Sequence, residues 1–531
     1  DGIVAEGQSF TAAWDRRSGT LSSLVYNGRE VLHCGRGPQL NVFRAFTDND
    51  QWFKDDFIRA GLKELICTVR DMQVWQVSKN AVQIHIVTDC IAAGREGCGL
   101  MHTALFTVFG NGWIDVQNTI EPYGPMPLLP KVGVQMFIGS DYTTFTWLGR
   151  GPHESYVDRK RSADIGLYQG QVADQYEPYV RPQENGNKTD VRWAALTDSS
   201  GRGMMVITGG TYSVSAHHNT ALDFDRAGHI HRVIPRSEIV LCIDAKHMGL
   251  GGASCGPAPM NQYRFTPEST QMHYSICPVH TSDTRNMAQQ ARTVLPVPLP
   301  PEIADQKVPN AAGGYSRQIT LSTPAGTSIV YRLESTNKAS EMRPYAGPFV
   351  FDQAGTIFAQ SCSEDGLKSM AVRADYPPYY DLLELDKSDW KILYTDSFQP
   401  GEGEAHHVID GRTETYWHTN WQTNRKPFPH EIHVDFSTVY TLAGFRYLAR
   451  QDSTNGRINA YEVSVSEDGQ HWTTVKQGNL ANTAQWQDIL FDTPRTARFF
   501  KLTALNEHGK SYYASAAELD IMAIRPANEA P

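Results

Sequence analysis

The chain has 531 residues, a formal net charge of −10 and no extended basic run, so it offers no surface suited to neutralising the phosphates of nucleic acid. Its 40% hydrophobic and 20% charged residues are typical of folded proteins, and no apolar stretch is long enough to span a bilayer. Nucleic acid and membranes are therefore poor candidates for partners. Because the chain starts at Asp1 with neither methionine nor signal peptide, we expect it to be part of a longer protein.

Two proline-rich segments divide the chain, because proline has no N–H to donate and is excluded from sheet interiors. They are residues 295–301 (LPVPLPP) and 376–379 (YPPY). These breaks predict three modules, at residues 1–295, 309–375 and 385–525.

The first module is predicted to be a large β-sandwich. Short runs rich in β-branched and aromatic residues alternate with glycine-bearing turns at residues 82–88, 113–119, 204–208 and 238–244. Helical patterns are confined to residues 56–65 and 283–293. The sequence therefore predicts an all-β chain with neither a doubly wound sheet nor a β/α barrel.

Four polar, glycine-containing strings interrupt these strands: residues 44–50 (RAFTDND), 147–156 (WLGRGPHESY), 179–186 (YVRPQENG) and 247–252 (HMGLGG). In order and spacing they resemble the C-terminal β-sandwich domain of family-2 glycoside hydrolases, the β-galactosidases. The resemblance implies a scaffold beside a catalytic barrel that carries a glutamate acid/base and a glutamate nucleophile. Since no barrel pattern is present, we expect a non-catalytic, carbohydrate-directed segment of such a hydrolase.

Three positions bear on whether this module takes part in chemistry. The pairs at residues 506–507 and 528–529 echo the Asn-Glu motif of the family but lie outside the matching region, so we expect a structural role. Glu184 is expected to accept hydrogen bonds from turn amides or from an arginine such as Arg181. Cys255 stands where the family has a tryptophan at the rim of the barrel's active site, and whether Cys255 takes part in the parent site stays open.

Cysteine and histidine patterns give weak signals. The eight cysteines include no CxxC pair, which argues against zinc or redox sites. Cys90 and Cys98 bracket a glycine-containing turn and could form a disulfide, with buried thiols as the alternative. His229 and His231 lie two apart on a predicted strand, near residues 217–218, but without a third ligand we favour surface or hydrogen-bonded histidines over a metal site.

The middle module alternates like a small immunoglobulin-like sandwich, with predicted strands at residues 329–332, 349–351 and 356–360. It resembles the C-terminal domain of chitobiases. The resemblance implies a rigid spacer without chemistry of its own.

The last module carries four strings in order: residues 408–421 (VIDGRTETYWHTNW), 447–456 (YLARQDSTNG), 461–469 (YEVSVSEDG) and 514–518 (ASAAE). Together they resemble the discoidin or coagulation-factor C-type family, and its carbohydrate-binding branch in particular. The implied fold is an eight-stranded jelly roll, in agreement with the rhythm of strands and turns.

That resemblance implies a structural Ca²⁺ ion, which prefers six to eight oxygen ligands. Side-chain oxygens would come from Asp410, Thr415 and Glu518, and backbone carbonyls from His407, Arg412 and Ala517. The alternative is an Asx turn at Asp410 with Glu518 as a surface carboxylate.

It also implies a pocket for a terminal galactose. The predicted sugar-binding residues are His418, Trp421, Arg450, Asn455 and Tyr512. A guanidinium and an amide can bridge the equatorial O3 and axial O4, an imidazole can meet O4, and an aromatic ring can lie under the apolar face. Core packing for Trp421 and a surface ion pair for Arg450 are the alternatives.

The sequence thus predicts a β-galactosidase segment whose partners are galactose-containing glycans and the catalytic barrel of its parent chain. Such modules suggest a secreted, periplasmic or cell-surface protein. The competing hypothesis is a peripheral membrane or cell-surface adhesion module, with residues 427–429 (PFP) as the apolar spike.

Overall fold

The computed structural model describes residues 2–92, 97–252, 258–311, 314–335, 338–423, 425–509 and 511–525. The predicted all-β class is confirmed, since strands dominate and helices are short. Among these residues no helix is long and apolar enough to cross a membrane.

A four-stranded antiparallel sheet begins the chain, with strands β1 (Gly2–Glu6), β2 (Phe10–Asp15), β3 (Thr20–Tyr26) and β4 (Arg29–Glu30) in that order. Every second residue of β2 is buried, ending at Trp14, as expected for a strand with one face on a core. The ring of Trp14 meets that of Phe106 from the facing sheet edge to face, with centroids 5.4 Å apart. The core of the first module therefore lies between two sheets.

The facing sheet has twelve strands. They are β5 (Gln39–Asn41), β6 (Leu65–Ser78), β7 (Ala81–Ala92), β8 (Gly99–Phe109), β9 (Ile114–Tyr123), β10 (Lys131–Ile138), β11 (Thr144–Gly151), β12 (Asp164–Gln171), β13 (Lys188–Thr197), β14 (Arg202–His217), β15 (Ile239–His247) and β16 (Thr270–His280). Its main order is β12-β11-β13-β14-β16-β9-β8-β7-β6, and β15 and β5 flank β10 beside this path.

Three helices accompany the first module: α1 (Lys54–Arg59), α2 (Ala221–Ala227) and α3 (Thr284–Gln290). The helix predicted at 56–65 is therefore shorter and begins earlier. Gly61 has a φ of 73°, a left-handed conformation that ends a helix, and the chain enters β6 four residues later. Asp283 caps α3 by accepting a hydrogen bond from the Arg285 N–H at 2.9 Å.

The disulfide of this module joins Cys67 and Cys90, so the pairing of Cys90 with Cys98 is wrong. Cys67 on β6 lies directly opposite Cys90 on β7, with Cα atoms 4.1 Å apart. Cys98 is buried instead, with its sulfur 3.9 Å from the Pro125 carbonyl oxygen. Pairing followed the register of two strands, which the spacing of cysteines along the chain does not reveal.

The middle module is built from two small sheets. One contains β17 (Glu302–Pro309), β18 (Tyr315–Ser322) and β22 (Phe349–Val350); the other contains β19 (Thr327–Ser335), β20 (Lys338–Ala339), β21 (Arg343–Pro344), β23 (Gly355–Ser363) and β24 (Val372–Tyr376). Ile319, Tyr331 and Ile357 belong to the core between them.

Two buried glutamines of the first module hold the middle module in place. Gln83 Nε2 donates to the Lys368 carbonyl at 2.8 Å, and Gln83 Oε1 accepts from the Lys368 N–H at 3.1 Å. Gln117 Oε1 accepts from the Met370 N–H at 2.7 Å. Because both buried amides are paired with backbone, the contact fixes this segment against strands β7 to β9.

The last module has eight strands among the described residues: β25 (Lys391–Thr395), β26 (Trp417–His418), β27 (His430–Leu448), β28 (Ala460–Ser466), β29 (Thr473–Asn479), β30 (Gln487–Ala504), β31 (Ser515–Ala516) and β32 (Glu518–Ala523). Six form a sheet and β26 pairs with β31 separately. Phe445, Tyr461 and Phe500 pack in the core of this module. The loops beside β26 and β31 carry most of the predicted site residues.

Candidate functional site

A two-stranded sheet fixes one side of the candidate site. Trp417 pairs with Ala516 and His418 pairs with Ser515. The Trp417 side chain is fully buried, and its Nε1 donates to the Ser397 carbonyl at 3.0 Å. Because successive strand residues point to opposite faces, anchoring Trp417 in the core directs His418 towards the neighbouring loops.

His418 is buried and held in a defined tautomer. Its Nδ1 lies 2.7 Å from the Thr419 carbonyl oxygen, so Nδ1 carries the proton and donates. Nε2 is then an acceptor, and the Asn455 amide nitrogen lies 3.4 Å from it. Burial is the main cause that lowers the pKa of His418, so the imidazole is neutral at pH 7.

Aromatic rings surround this imidazole. The Trp421 ring lies 4.6 Å from His418 at 85°, and the Tyr513 ring lies 5.5 Å away. Trp421 is partly exposed, so core packing alone does not explain it. Tyr512, predicted as an aromatic platform, is 63% exposed, and it is the neighbouring Tyr513 that contacts His418.

Arg450 combines an ion pair with an aromatic contact. Its Nε and Nη2 lie 2.5 and 2.9 Å from the two carboxylate oxygens of Asp452. Its guanidinium carbon lies 3.9 Å from the centre of the Tyr416 ring, and the Tyr416 hydroxyl donates to Glu402 at 3.2 Å. The ion pair that was the alternative for Arg450 is present, and it orients the guanidinium with Nη1 directed away from Asp452.

Asn455 is placed by the turn that follows it. Gly456 has a φ of 75°, and a Cβ there would lie 3.0 Å from the Ser515 hydroxyl oxygen, so this position requires glycine. The same hydroxyl donates to the Asn455 carbonyl at 2.9 Å. Two loops and the β26–β31 pair thus bring His418, Trp421 and Asn455 together, while Arg450 joins them through Tyr416.

Sequence reasoning missed Tyr416, Tyr513, Glu402 and Asp452. Strand parity could have found the two tyrosines, because residues two apart share a face. Tyr416 precedes His418 by two, and Tyr513 precedes Ser515, the partner of His418, by two.

The predicted cation site begins with an Asx turn. Asp410 Oδ1 accepts from the Arg412 N–H at 2.9 Å, and Oδ2 accepts from the Thr415 hydroxyl at 2.8 Å. The Asx turn considered as an alternative is therefore present. It also gathers a carboxylate, a hydroxyl and loop carbonyls in one place, which are the donors a hard cation prefers.

Glu518 supplies the second carboxylate. Its Oε2 accepts from Lys387 Nζ at 2.9 Å, whereas Oε1 is buried without a hydrogen-bond partner among the described residues. Burial, and to a smaller degree the neighbouring Asp410, raises the pKa of Glu518. The described residues contain no cluster of three or more His, Cys, Asp or Glu side chains suited to a metal, so an ion here would depend on carbonyl oxygens.

His229 and His231 do not lie on a strand, and that prediction is wrong. They flank and enter a 3₁₀ helix at Ile230–Arg232, with their Nδ1 atoms 2.8 Å apart. His217 is buried, with its Nε2 3.0 Å from the Asn185 carbonyl oxygen. Hydrogen bonds account for these histidines.

The four strings of the first module converge at one end of the sandwich. Arg44, from the first string, is fully buried, with Nη2 2.6 Å from Asp50 Oδ1. Its Nη1 donates to the Met248 carbonyl of the fourth string at 2.7 Å.

The second string completes this cluster. Glu154 accepts from the Gly186 N–H of the third string at 2.8 Å and also from Tyr179. Asp158, two residues after the second string, accepts from the Gly251 N–H of the fourth string at 2.8 Å. All four strings are thus tied together by charge-assisted hydrogen bonds.

Turn amides or an arginine such as Arg181 were the expected partners of Glu184, and for Arg181 that expectation is wrong. Arg181 pairs with Asp48 at 3.0 Å, and Glu184 is buried 3.9 Å from His247. Burial raises the pKa of Glu184 to about 7. Cys255 and the pair at 528–529 lie outside the described residues, and Glu507 accepts from the Gly509 N–H at 2.8 Å within a turn.

The loop at residues 427–429 does not project its phenylalanine. Phe428 packs partly against the core of the last module, and its ring centre lies 4.9 Å from that of His430. Pro427 and Pro429 are exposed, whereas Phe428 is half-buried, so the largest apolar side chain of this loop is directed partly towards the core.

Comparison with known proteins agrees with both ends of the chain. Residues 6–277 match the sequence model of the β-galactosidase small chain, and residues 393–519 match that of the F5/8 type C domain.

Two relatives illustrate the first match. A β-galactosidase of Priestia megaterium is 32% identical over 253 residues, covering 47% of this chain and 24% of that protein. A β-galactosidase of Streptococcus thermophilus is 28% identical over 283 residues, covering 52% of this chain and 27% of that protein. The chain therefore spans about a quarter of the length of these relatives.

Solved structures match a shorter portion. A carbohydrate-binding module from Clostridium perfringens, in complex with GalNAc-β-1,3-galactose, is 33% identical and covers 26% of this chain and 97% of its own, with a TM-score of 0.24. The C-terminal domain of a chitobiase from Bacteroides fragilis is 31% identical. The match covers 26% of this chain and 96% of that domain, with a TM-score of 0.25.

Proposed function

Since the chain belongs to the β-galactosidase small-chain family, we propose that it is the non-catalytic, sugar-directed C-terminal segment of a β-galactosidase. The first module is the scaffold for a catalytic barrel elsewhere in the parent chain. The last module binds terminal galactose-type residues of a glycan and keeps that barrel near its substrate, since tethering raises effective concentration.

One observation supports the sugar site above all: the imidazole, amide, guanidinium and aromatic rings of the last module share one loop cluster. His418 Nε2, which the Asn455 amide nitrogen approaches at 3.4 Å, can accept a hydrogen bond from the axial O4 hydroxyl of galactose in place of that amide. Asn455 and the Nη1 edge of Arg450 can reach the adjacent O3. Trp421 and Tyr513 offer flat surfaces for the C–H face of the sugar.

The experiment compares two arginines of one module by calorimetric titration with galactose. Arg450→Ala should weaken binding by about ten-fold or more, because a charge-assisted hydrogen bond contributes about 1.5 to 3 kcal/mol. The matched control is Arg446→Ala, since Arg446 also pairs with an aspartate, Asp488 at 2.8 Å, and also lies over an aromatic ring, that of Trp486. Equal losses in both variants, or none in Arg450→Ala, would contradict the site.

A Ca²⁺ ion is also proposed in the last module, between the turn at Asp410 and Glu518 of strand β32. Its support is the buried, unpartnered Oε1 of Glu518 beside the carboxylate of Asp410. The proposed ligands are Asp410, Thr415 and Glu518 through side chains, and His407, Arg412 and Ala517 through carbonyls. When bound, the ion would neutralise two adjacent carboxylates and tie the loop after Asp410 to strand β32. Lys387 supplies part of that positive charge.

We also propose that the protein works outside the cytoplasm, as a secreted, periplasmic or cell-surface protein. The disulfide between Cys67 and Cys90 supports this, because disulfides persist in oxidising compartments. Fractionation of producing cells with an antibody to this chain tests it; recovery in the cytosol with both thiols reduced would contradict it.

A further inference from the structure

A cavity of about 400 Å³ lies in the first module, between strands β7 to β9 and the short edge strand β5. It shares no lining residue with the four strings or with the last module. Its volume lies in the range of small-molecule sites, about 300 to 1,000 Å³. The proposed function gives this space no role.

The floor of the cavity is polar and partly unsatisfied. Tyr274 is 1% exposed, and its hydroxyl has no hydrogen-bond partner of normal geometry among the described residues. The nearby Asn118 has its Oδ1 2.9 Å from His102 Nε2, and its Nδ2 donates to the Met272 carbonyl at 3.2 Å. The second Nδ2 hydrogen can face the Tyr274 oxygen, but the O–H of Tyr274 itself has no acceptor among the described residues. With Nε2 donating to Asn118 Oδ1, Nδ1 of His102 is an acceptor. A buried hydroxyl without a partner costs free energy that a polar ligand would recover.

The walls alternate apolar and polar groups. Apolar surface comes from Phe43, Leu62 and Phe106. Side-chain amides come from Gln39 and Asn41. Flat apolar surface together with several hydrogen-bonding groups suits a polyhydroxylated ring, whose C–H face packs on aromatic carbon while its hydroxyls are hydrogen-bonded.

The rim is cationic, and one cation lacks a counter-ion. Lys63, Arg226 and Arg236 each form an ion pair with a carboxylate. Arg36 instead stacks on Phe137 with its guanidinium carbon 3.3 Å from the ring centre, and it forms no ion pair among the described residues. The carboxylate of Glu238 acts on Arg36 at longer range and is paired with Arg236 at 3.3 Å. The guanidinium of Arg36 is therefore available to an anionic group of a ligand, preferably bidentate to a carboxylate.

We propose that this cavity binds an acidic monosaccharide of the hexuronate class, with its carboxylate at Arg36 and its hydroxyls at Tyr274 and His102. The site is separate from the galactose pocket of the last module.

The test is a titration of the full chain with D-galacturonate, with D-galactose as the neutral analogue. All proteins carry Arg450→Ala, so that the pocket of the last module is weakened equally in every comparison. Galacturonate should bind and raise the melting temperature, and galactose should bind about ten-fold more weakly or not at all, because it lacks the charge for Arg36.

Two variants locate the site, each with a matched control. Tyr274→Phe and Arg36→Gln should each weaken galacturonate binding by about ten-fold or more. Tyr26→Phe removes another buried hydroxyl of the same core, which donates to Gly112, and Arg29→Gln removes a guanidinium elsewhere in the module; both should leave affinity unchanged. Tyr274→Phe should also fold normally, since it removes an unpartnered group.

Absence of detectable binding at about 10 mM galacturonate would overturn the proposal. A Kd of 10 mM corresponds to a binding free energy of about −2.7 kcal/mol. Equal affinity for galactose, or affinity that survives both Tyr274→Phe and Arg36→Gln, would overturn the proposal as well. None of these results bears on the galactose pocket, because Arg450→Ala weakens that pocket equally in all the proteins compared.

Discussion

The two polar clusters of this chain differ in what their arginines bind. Arg44, in the first module, is completely buried and engages Asp50 and backbone carbonyls on all sides. Arg450, in the last module, pairs with Asp452, whose side chain is 60% exposed, beside an exposed Asn455. Polar groups paired within the protein stabilise one shape, whereas groups that reach solvent can exchange partners with a ligand. The comparison assigns scaffolding to the first cluster and binding to the second.

The largest effect should follow from breaking the closed cluster. Arg44→Ala leaves the carboxylate of Asp50 buried without its counter-charge, and we expect the first module to lose about 3 to 5 kcal/mol of unfolding free energy. Calorimetry should show the transition of the first module move down while that of the last module stays in place. The matched variant Arg181→Ala removes an exposed ion pair with Asp48 and should cost at most about 1 kcal/mol. Similar losses in both variants would contradict the distinction between buried and exposed pairs.

Removal of Ca²⁺ should destabilise the last module and leave the first module unchanged. An ion that binds only the folded state stabilises it by about 2.7 kcal/mol at 100 times its Kd, so chelation should lower the melting temperature of the last module alone. Glu518→Gln should abolish this dependence. Glu462→Gln, which removes a surface carboxylate from strand β28, is the control that keeps it. Melting curves identical with and without Ca²⁺ would contradict the cation site and would mean that Asp410 only stabilises an Asx turn.

The stability of the first module should depend on pH through the buried carboxyl group of Glu184. The raised pKa of Glu184, about 7 against 4.5, means that the folded state holds a proton more tightly than the unfolded state. Between about pH 4.5 and pH 7 this group therefore makes the first module less stable as the pH rises, by up to about 3 kcal/mol. Glu184→Gln should remove that slope and be the more stable protein at pH 8. Denaturation midpoints at pH 5 and pH 8 measure it, and an unchanged slope would contradict the assignment.

The lowered pKa of His418 gives the smallest effect. Because the neutral imidazole is the acceptor for a sugar hydroxyl, galactose affinity should be constant from pH 8 to 6.5 and should fall only at lower pH. Affinity measured across this range by NMR checks this. Binding that strengthens on acidification would mean that the charged imidazole is the binding form.

The sequence predicted what depends on local pattern. Alternation of apolar residues predicted the strands, and the four strings of the first module and those of the last predicted which loops would carry polar clusters. Strand register was beyond it, because the pairing of Cys67 with Cys90 depends on which residues of β6 and β7 lie opposite each other. The choice of Tyr513 over Tyr512 depended on register as well, because strand parity selects Tyr513 only once Ser515 is known to lie opposite His418.

The central claim, that the last module reads the axial hydroxyl of galactose, is tested most directly by titrating the wild-type chain with galactose and with glucose. The two sugars differ only in configuration at C4, and the equatorial O4 of glucose would leave the acceptor of His418 without its hydroxyl donor. An unsatisfied buried polar group costs about 1 to 3 kcal/mol, so galactose should bind at least about five-fold more tightly, with a Kd of roughly 0.1 to 10 mM. Equal affinities for the two sugars would contradict the account.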